Sequence, residues 1–285
     1  MIQHPSSSTA QLNPWPSLHS WWWSGLGAIV FAATVALGLL IKSGGARIAE
    51  LGVDTGLSHD RNPALTTISL AVHYGLGPVG AIALLLLCCL GLLLLRRSIV
   101  PVLAFASVVS IGWLSSEVGK HLVARMRPPA EAVQALIAEH GTDSFPSGHT
   151  AFAVALVWAF VLVVARSGRA RAWTLAVGVV FVALVAFSRL YLGVHYPSDV
   201  TASILIASGA ILLWLPVWNN LIEPRLGQSS PIRTSSSHRA DERIDEWKDV
   251  QREGKGPGIW PTLRIRSNTK TSGTRTGQLR SKNLG

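Results

Sequence analysis

Apolar runs long enough to cross a bilayer dominate the chain, and that pattern restricts it to helices packed within a membrane. A span needs about 20 mainly apolar residues, and away from water its backbone N–H and C=O groups must be satisfied inside the segment. Six stretches of the 285-residue sequence fit: 21–41, 76–95, 99–118, 149–165, 173–187 and 200–218, of which the fourth and fifth are short. Charge is correspondingly scarce. Only 14% of residues are charged, against about a quarter in a soluble domain. The expected fold is all-α, a polytopic membrane bundle with about six transmembrane helices.

The breaks between the runs set the expected orientation. Arg96 and Arg97 separate the second run from the third, and Arg166, Arg169 and Arg171 separate the fourth from the fifth. These short basic turns, together with a basic C-terminal tail, point to the cytoplasmic side by the positive-inside rule. Both termini then face the cytoplasm, and the protein is expected in the plasma (inner) membrane. The first 20 residues hold no Lys or Arg, so the basic opening of a cleaved signal is missing and 21–41 reads as a retained helix. The expected organisation is a cytoplasmic segment at 1–20, a helical domain at 21–218 and a tail at 219–285. That tail holds 13 Lys and Arg against 7 Asp and Glu, and its Ser, Thr and Gly content points to disorder. Trp21, Trp22, Trp23, Trp173, Trp214 and Trp218 fall at run ends and are expected at the inner headgroup level. Cys88 and Cys89 are adjacent within an apolar run and read as small apolar side chains.

Three polar islands fall on the opposite, non-cytoplasmic side. In KHLVARMRPP, Lys120 and Arg127 are seven residues apart, so a continuing helix would place both on one face before Pro128 stops it. In SFPSGHT, Ser147 and Gly148 precede an apolar helix whose free N–H groups favour an anion, with His149 on the first turn. In SRLYLGVHYPSD, Arg189 closes one run, His195 follows, Pro197 suits a helix start, and Asp199 lies four residues beyond the histidine. A carboxylate bonded to one ring nitrogen would leave the other free as a nucleophile. Each island alone could be an interfacial cation or a helix cap. Together, three cations with N–H donors match the equatorial oxygens of a phosphoryl group in transfer.

These stretches resemble the type 2 phosphatidic acid phosphatase superfamily, the lipid phosphate phosphatases, whose signature is K-x6-RP, PSGH and SR-x5-H-x3-D. Here the three parts run from Lys120 to Pro128, Pro146 to His149 and Ser188 to Asp199, with every position filled. The resemblance implies a six-helix core like that of the haloperoxidases, a site at the outer membrane face, and a phosphohistidine route with neither cofactor nor metal. It makes His195 the nucleophile, Asp199 its orienting partner, and His149 the acid and then the base. Lys120, Arg127 and Arg189 would clamp the phosphoryl oxygens, helped by Ser147 and the N–H of Gly148. Arg125, His121, Asp143 and His73 have no signature role and read as supporting groups or bystanders. The expected partners are the bilayer and a lipid phosphate or diphosphate, such as undecaprenyl diphosphate, phosphatidate or phosphatidylglycerol phosphate, with no nucleic acid. Other readings of the same residues are a lipid-linked phosphotransferase, a vanadate-holding haloperoxidase, a histidine-based metal hydrolase, or a lipid transporter with a relic site. Haloperoxidases are typically soluble, and no cluster of acidic ligands accompanies the two histidines.

Overall fold

A computed structural model of the chain describes residues 18–43, 46–139 and 141–228. The expected tail therefore lies mostly outside the described residues, as does most of segment 1–20.

The helices run in order α1 Trp22–Ser43, α2 Ala46–His59, α3 Pro63–Leu76, α4 Pro78–Arg96, α5 Ile99–Val123, α6 Gly148–Ala159, α7 Gly168–Tyr191, α8 Pro197–Val217 and α9 Glu223–Gln228. A π turn, Phe160–Val164, extends α6, and a second, Trp218–Ile222, joins α8 to α9. Five helices are long and apolar enough to cross a membrane: α1, α4, α5, α7 and the α8–α9 rod, Pro197–Leu226. The sixth apolar helix, Gly148–Val164, is shorter. All six sequence runs are thus helical. The last continues ten residues past the expected boundary at 218, through Gln228.

Local sequence explains the ends. Pro63 opens α3 behind Asn62, whose side chain accepts a hydrogen bond from Leu65 N–H at 2.9 Å. Ser167 caps α7 in the same way, taking the Ala170 N–H at 3.1 Å. As a result Arg169 and Arg171 ride on the first turn of α7 and do not lie in a loop.

Helices α5, α6 and α8 form the centre, around Phe105, Val108, Phe152, Ala155 and Ile211. Helix α1 lies along α8, so closely at Gly27 that an added Cβ would meet the backbone of Gly209 and Leu213. The outer helices show the reverse character. Leu86, Leu87, Leu94 and Leu95 of α4, and Val177, Val179 and Val180 of α7, are all exposed. Such contiguous apolar faces are stable only against lipid, and the protein is a multi-pass membrane protein.

Two features depart from the sequence reading. Helices α2 and α3 fill the interval between the first two spans, where no helix was expected. Both are 14 residues long, below the length that a search for spans detects. The tryptophans also divide. Trp21, Trp22 and Trp173 are exposed, whereas Trp218 is 2% exposed and belongs to the core. The indole of Trp214 donates to Ser107 Oγ at 3.1 Å, an interhelical contact in place of a headgroup anchor.

Candidate active site

The ends of α3, α5 and α7 and the starts of α4, α6 and α8 meet on one side of the bundle, opposite the arginine turns. A cavity of about 360 Å³ opens there. Lys120, Arg127, Gly148, His149 and His195 line it, with Leu76, Pro78 and Trp113 as its apolar wall. The other three expected residues stand behind this lining. Ser147 and Asp199 are fully buried, and so is Arg189, which touches the lining through Glu139 and His73.

The helix expected to carry Lys120 and Arg127 on one face does not form. Helix α5 ends at Val123, where Ala124 turns left-handed (φ 48°) and its N–H closes on the Lys120 carbonyl at 2.8 Å. Lys120 thus stays on the last turn of α5 while Arg127 arrives from an extended loop. Tertiary contacts, and not a shared helical face, bring the two together.

His195 is 2% exposed. Its Nδ1 lies 2.7 Å from the Ser144 carbonyl, which can only accept, so Nδ1 carries the proton. Nε2 lies 3.3 Å from Arg127 Nη1, which can only donate, so Nε2 presents its lone pair. Burial, followed by the Arg127 and Arg189 charges, holds the ring well below the usual histidine range, which leaves it neutral at pH 7. The direct bond expected from Asp199 is absent: its Oδ2 is 3.6 Å from Nδ1. The carboxylate instead accepts from Ser144 Oγ and from Tyr196 N–H at 2.9 Å, and pairs with Arg125 at 2.6 Å. It organises the turn and the loop that hold the ring.

His149 Nε2 donates to the His73 carbonyl at 3.1 Å, and the two rings stack with centroids 5.5 Å apart. Gly148, first in α6, leaves space that a Cβ would fill 3.3 Å from Lys120 Nζ. Ser147 holds the base of α6: its N–H donates to the Asp199 carbonyl at 3.3 Å, and its own carbonyl accepts from Ser203 Oγ at 3.0 Å.

Each expected phosphate-binding cation is already paired. Glu117 takes Lys120 at 2.8 Å, and Asp143 takes Arg127 through two bonds of 2.9 and 3.1 Å. Glu139 bridges both guanidiniums, 2.6 Å from Arg127 Nη1 and 2.8 Å from Arg189 Nη2. Burial opposes its ionisation, but Arg189 and Arg127 outweigh that and hold its carboxyl at about 2. The hydrogen bond from Arg127 likewise keeps Asp143 low. Arg189 makes a further contact, Nη1 to His73 Nδ1 at 3.0 Å. Sequence reading missed Glu139 altogether and left Asp143 and His73 without a role. None of these belongs to a motif, and only the fold shows what they touch. Among the described residues no group of three His, Cys, Asp or Glu is placed to hold a metal ion.

Comparisons with known proteins converge on one family. The model of the PAP2 superfamily matches residues 98–223. A decaprenylphosphoryl-5-phosphoribose phosphatase of Mycobacterium tuberculosis is 34% identical over 156 residues, covering 54% of this chain and 81% of that protein. An undecaprenyl-diphosphatase of Sulfolobus acidocaldarius is 29% identical over 148 residues. That match covers 50% of this chain and 63% of the archaeal protein, less than two thirds of its length. Among solved structures, a transmembrane PAP2-type phosphatidylglycerolphosphate phosphatase from Bacillus subtilis superposes with a TM-score of 0.56 at 21% identity, covering 73% of this chain and 99% of that one, which is a likeness of fold.

Proposed function

Because the chain belongs to the PAP2 superfamily, we propose that it is a membrane phosphatase for lipid phosphates or diphosphates, working through a phosphohistidine. The observation that carries the reading is the state of His195, whose Nδ1–H is committed to Ser144 while its Nε2 is unprotonated beside Arg127.

The steps follow from this arrangement. The terminal phosphoryl group enters between Arg127 and Arg189, displacing the Glu139 carboxylate. Lys120, both arginines and the Gly148 N–H take its oxygens and stabilise the charge of the transition state. His195 Nε2 attacks phosphorus as the bond to the leaving oxygen breaks, and the imidazolium charge that forms is stabilised through Nδ1–H and the Ser144 carbonyl. His149 takes the proton of the bound phosphate monoanion and passes it to the leaving oxygen, then accepts a proton from the attacking water and returns it to the departing phosphate. That water displaces Nε2 and releases inorganic phosphate, returning both histidines to their starting states. Positive side chains supply the charge stabilisation that a metal ion gives other phosphatases.

Orientation follows the charge pattern. The site faces the extracytoplasmic side of the inner membrane, and both termini lie in the cytoplasm with the arginine turns. Residues 1–20 then form a cytoplasmic segment, 21–218 the catalytic domain and 219–285 a cytoplasmic tail. A polyprenyl-linked substrate is favoured, supported by the names of the mycobacterial and archaeal relatives and by the apolar wall of Leu76, Pro78 and Trp113 beside the cations.

The test is phosphate release by purified protein in detergent with EDTA, on undecaprenyl diphosphate and phosphatidate side by side, against His195→Ala. Release that disappears in the variant supports the reading. Release that persists in the variant removes His195 as nucleophile.

A further inference from the structure

Helix α2 precedes the region that matches the family, 98–223, and none of its described residues lines the cavity. It nevertheless sends a carboxylate into the turn that carries His195. Glu50 Oε2 accepts from Arg125 Nη2 at 2.5 Å, and its Oε1 accepts from the Ser198 N–H at 3.0 Å. Arg125 is buried at 3% exposure. Its Nη1 donates to Ser198 Oγ and to Asp199 Oδ1, both at 2.6 Å, and its guanidinium lies 4.2 Å over the Tyr196 ring. One guanidinium and one carboxylate therefore hold three of the four residues that follow His195.

The main chain completes the grip. The Arg125 carbonyl accepts the Ser144 N–H at 3.1 Å, and the Ser144 carbonyl is the group that holds His195 Nδ1–H. Ser144 Oγ in turn donates to Asp199. Moving Arg125 would shift both the start of α8 and the carbonyl that fixes the ring.

We propose that Glu50 and Arg125 are positioning residues, which hold the Tyr196–Asp199 turn and the Ser144 carbonyl so that His195 presents Nε2 to the phosphoryl group. The inference rests on the phosphohistidine reading. It extends the catalytic apparatus to α2, beyond the three motifs.

A second carboxylate on α2 makes the network sensitive to protons. Asp54 lies one turn beyond Glu50, is 1% exposed, and has no hydrogen-bond partner for either oxygen among the described residues. The charges that act on it are Asp199 of α8, Glu50 of its own helix and Arg125. Lys42 of α1 is engaged with the Val123 carbonyl, and Arg189 of α7 with Glu139 and His73. Burial, then the Asp199 and Glu50 carboxylates, push Asp54 up to about 8 against the opposing pull of Arg125. It is therefore neutral at pH 7, and its ionisation would set a third carboxylate against one guanidinium. Since its native value lies above the unfolded 3.8, the associated stability is full below that pH and is lost as pH rises to about 8.

The experiment uses the full chain in detergent, with undecaprenyl diphosphate, from about pH 5 to 9.5. Glu50→Gln should lower kcat about 10- to 100-fold with KM within about twofold, because a small error in the position of a reacting group is enough for that loss. Arg125→Lys should lose more, since an ammonium lacks the planar fork that serves both carboxylates. Asp54→Asn should move the alkaline fall in kcat to higher pH. An unchanged kcat in Glu50→Gln, or a raised KM with kcat retained, overturns the proposal. Should Arg125→Lys fail to fold, Glu50→Gln decides the matter, because it keeps an acceptor for Ser198. Thermal midpoints read the network without turnover: wild type should lose stability from about pH 5 to 8 and Asp54→Asn should not. Equal slopes in the two overturn the link to Asp54. A wild type that releases no phosphate while these slopes differ overturns the phosphatase reading and leaves the network standing.

Discussion

The half of the molecule formed by α5 to α8 and the half formed by α1 to α4 treat the same kind of apolar sequence in opposite ways. The α8–α9 rod and α5 bury 56% and 39% of their apolar stretches, against 17% for α1 and 11% for α4. Helix α7 is a mixed case, as its length faces outward but its last turn is closed and carries the fully buried Arg189. The motif residues belong to the inward half, and the outward half lends His73, Leu76 and Pro78 to the cavity. Charges that must keep a fixed geometry need a packed surround, because an uncompensated charge near lipid is costly. Residues that form a mouth need only stand beside it.

The comparison can be broken most severely at His195, the proposed nucleophile. His195→Ala should reduce phosphate release to background, a loss of about 10⁵-fold or more if the histidine forms the covalent intermediate, measured with a phosphoenzyme trap alongside. Arg127→Ala should lose about 10²- to 10³-fold in kcat, the scale of one removed oxyanion donor. A change confined to KM would show that Arg127 holds substrate and transition state equally.

Packing separates the two halves more directly. Phe152 of α6 is fully buried, whereas Leu87 of α4 is 66% exposed. Phe152→Ala should cost about 3–5 kcal/mol of stability, and Leu87→Ala about 0.5 kcal/mol or less. Similar thermal shifts in both would mean that α4 packs against a partner.

Glu139→Gln should tighten inhibition by inorganic phosphate about tenfold, by removing the internal anion that occupies the two-arginine cradle, a change of ~1.4 kcal/mol. The same carboxylate predicts an acid response. Its native value near 2 lies below the unfolded 4.5, so its stabilisation is complete above pH 4.5 and is lost as pH falls through 2. A thermal profile of Glu139→Gln should lack that fall. Deleting 229–285 should have the least effect and leave kcat within about twofold of the full chain.

The sequence yielded the six apolar helices because the length of a span is a local property. It yielded the eight motif residues because their spacings survive in one dimension. Helices α2 and α3 escaped notice because they are too short to read as spans, and with them went Glu50 and the role of His73. Arg125 stood in plain view between Lys120 and Arg127, but it fills no position of the signature and so was left without a defined role. The left-handed turn at Ala124 ended α5 and aimed the guanidinium at Asp199.

What the sequence determined by itself is the class of molecule: helices in a membrane, basic turns on one side, and three polar islands on the other. What only the tertiary structure decided is the pairing of charges. Ser144 and not Asp199 accepts the His195 proton, Glu139 sits between the arginines, and Glu50 reaches Arg125 across 75 positions of sequence. Such contacts carry no local periodicity. They form because buried ionisable groups must find partners, and the folded chain determines which ones lie within reach.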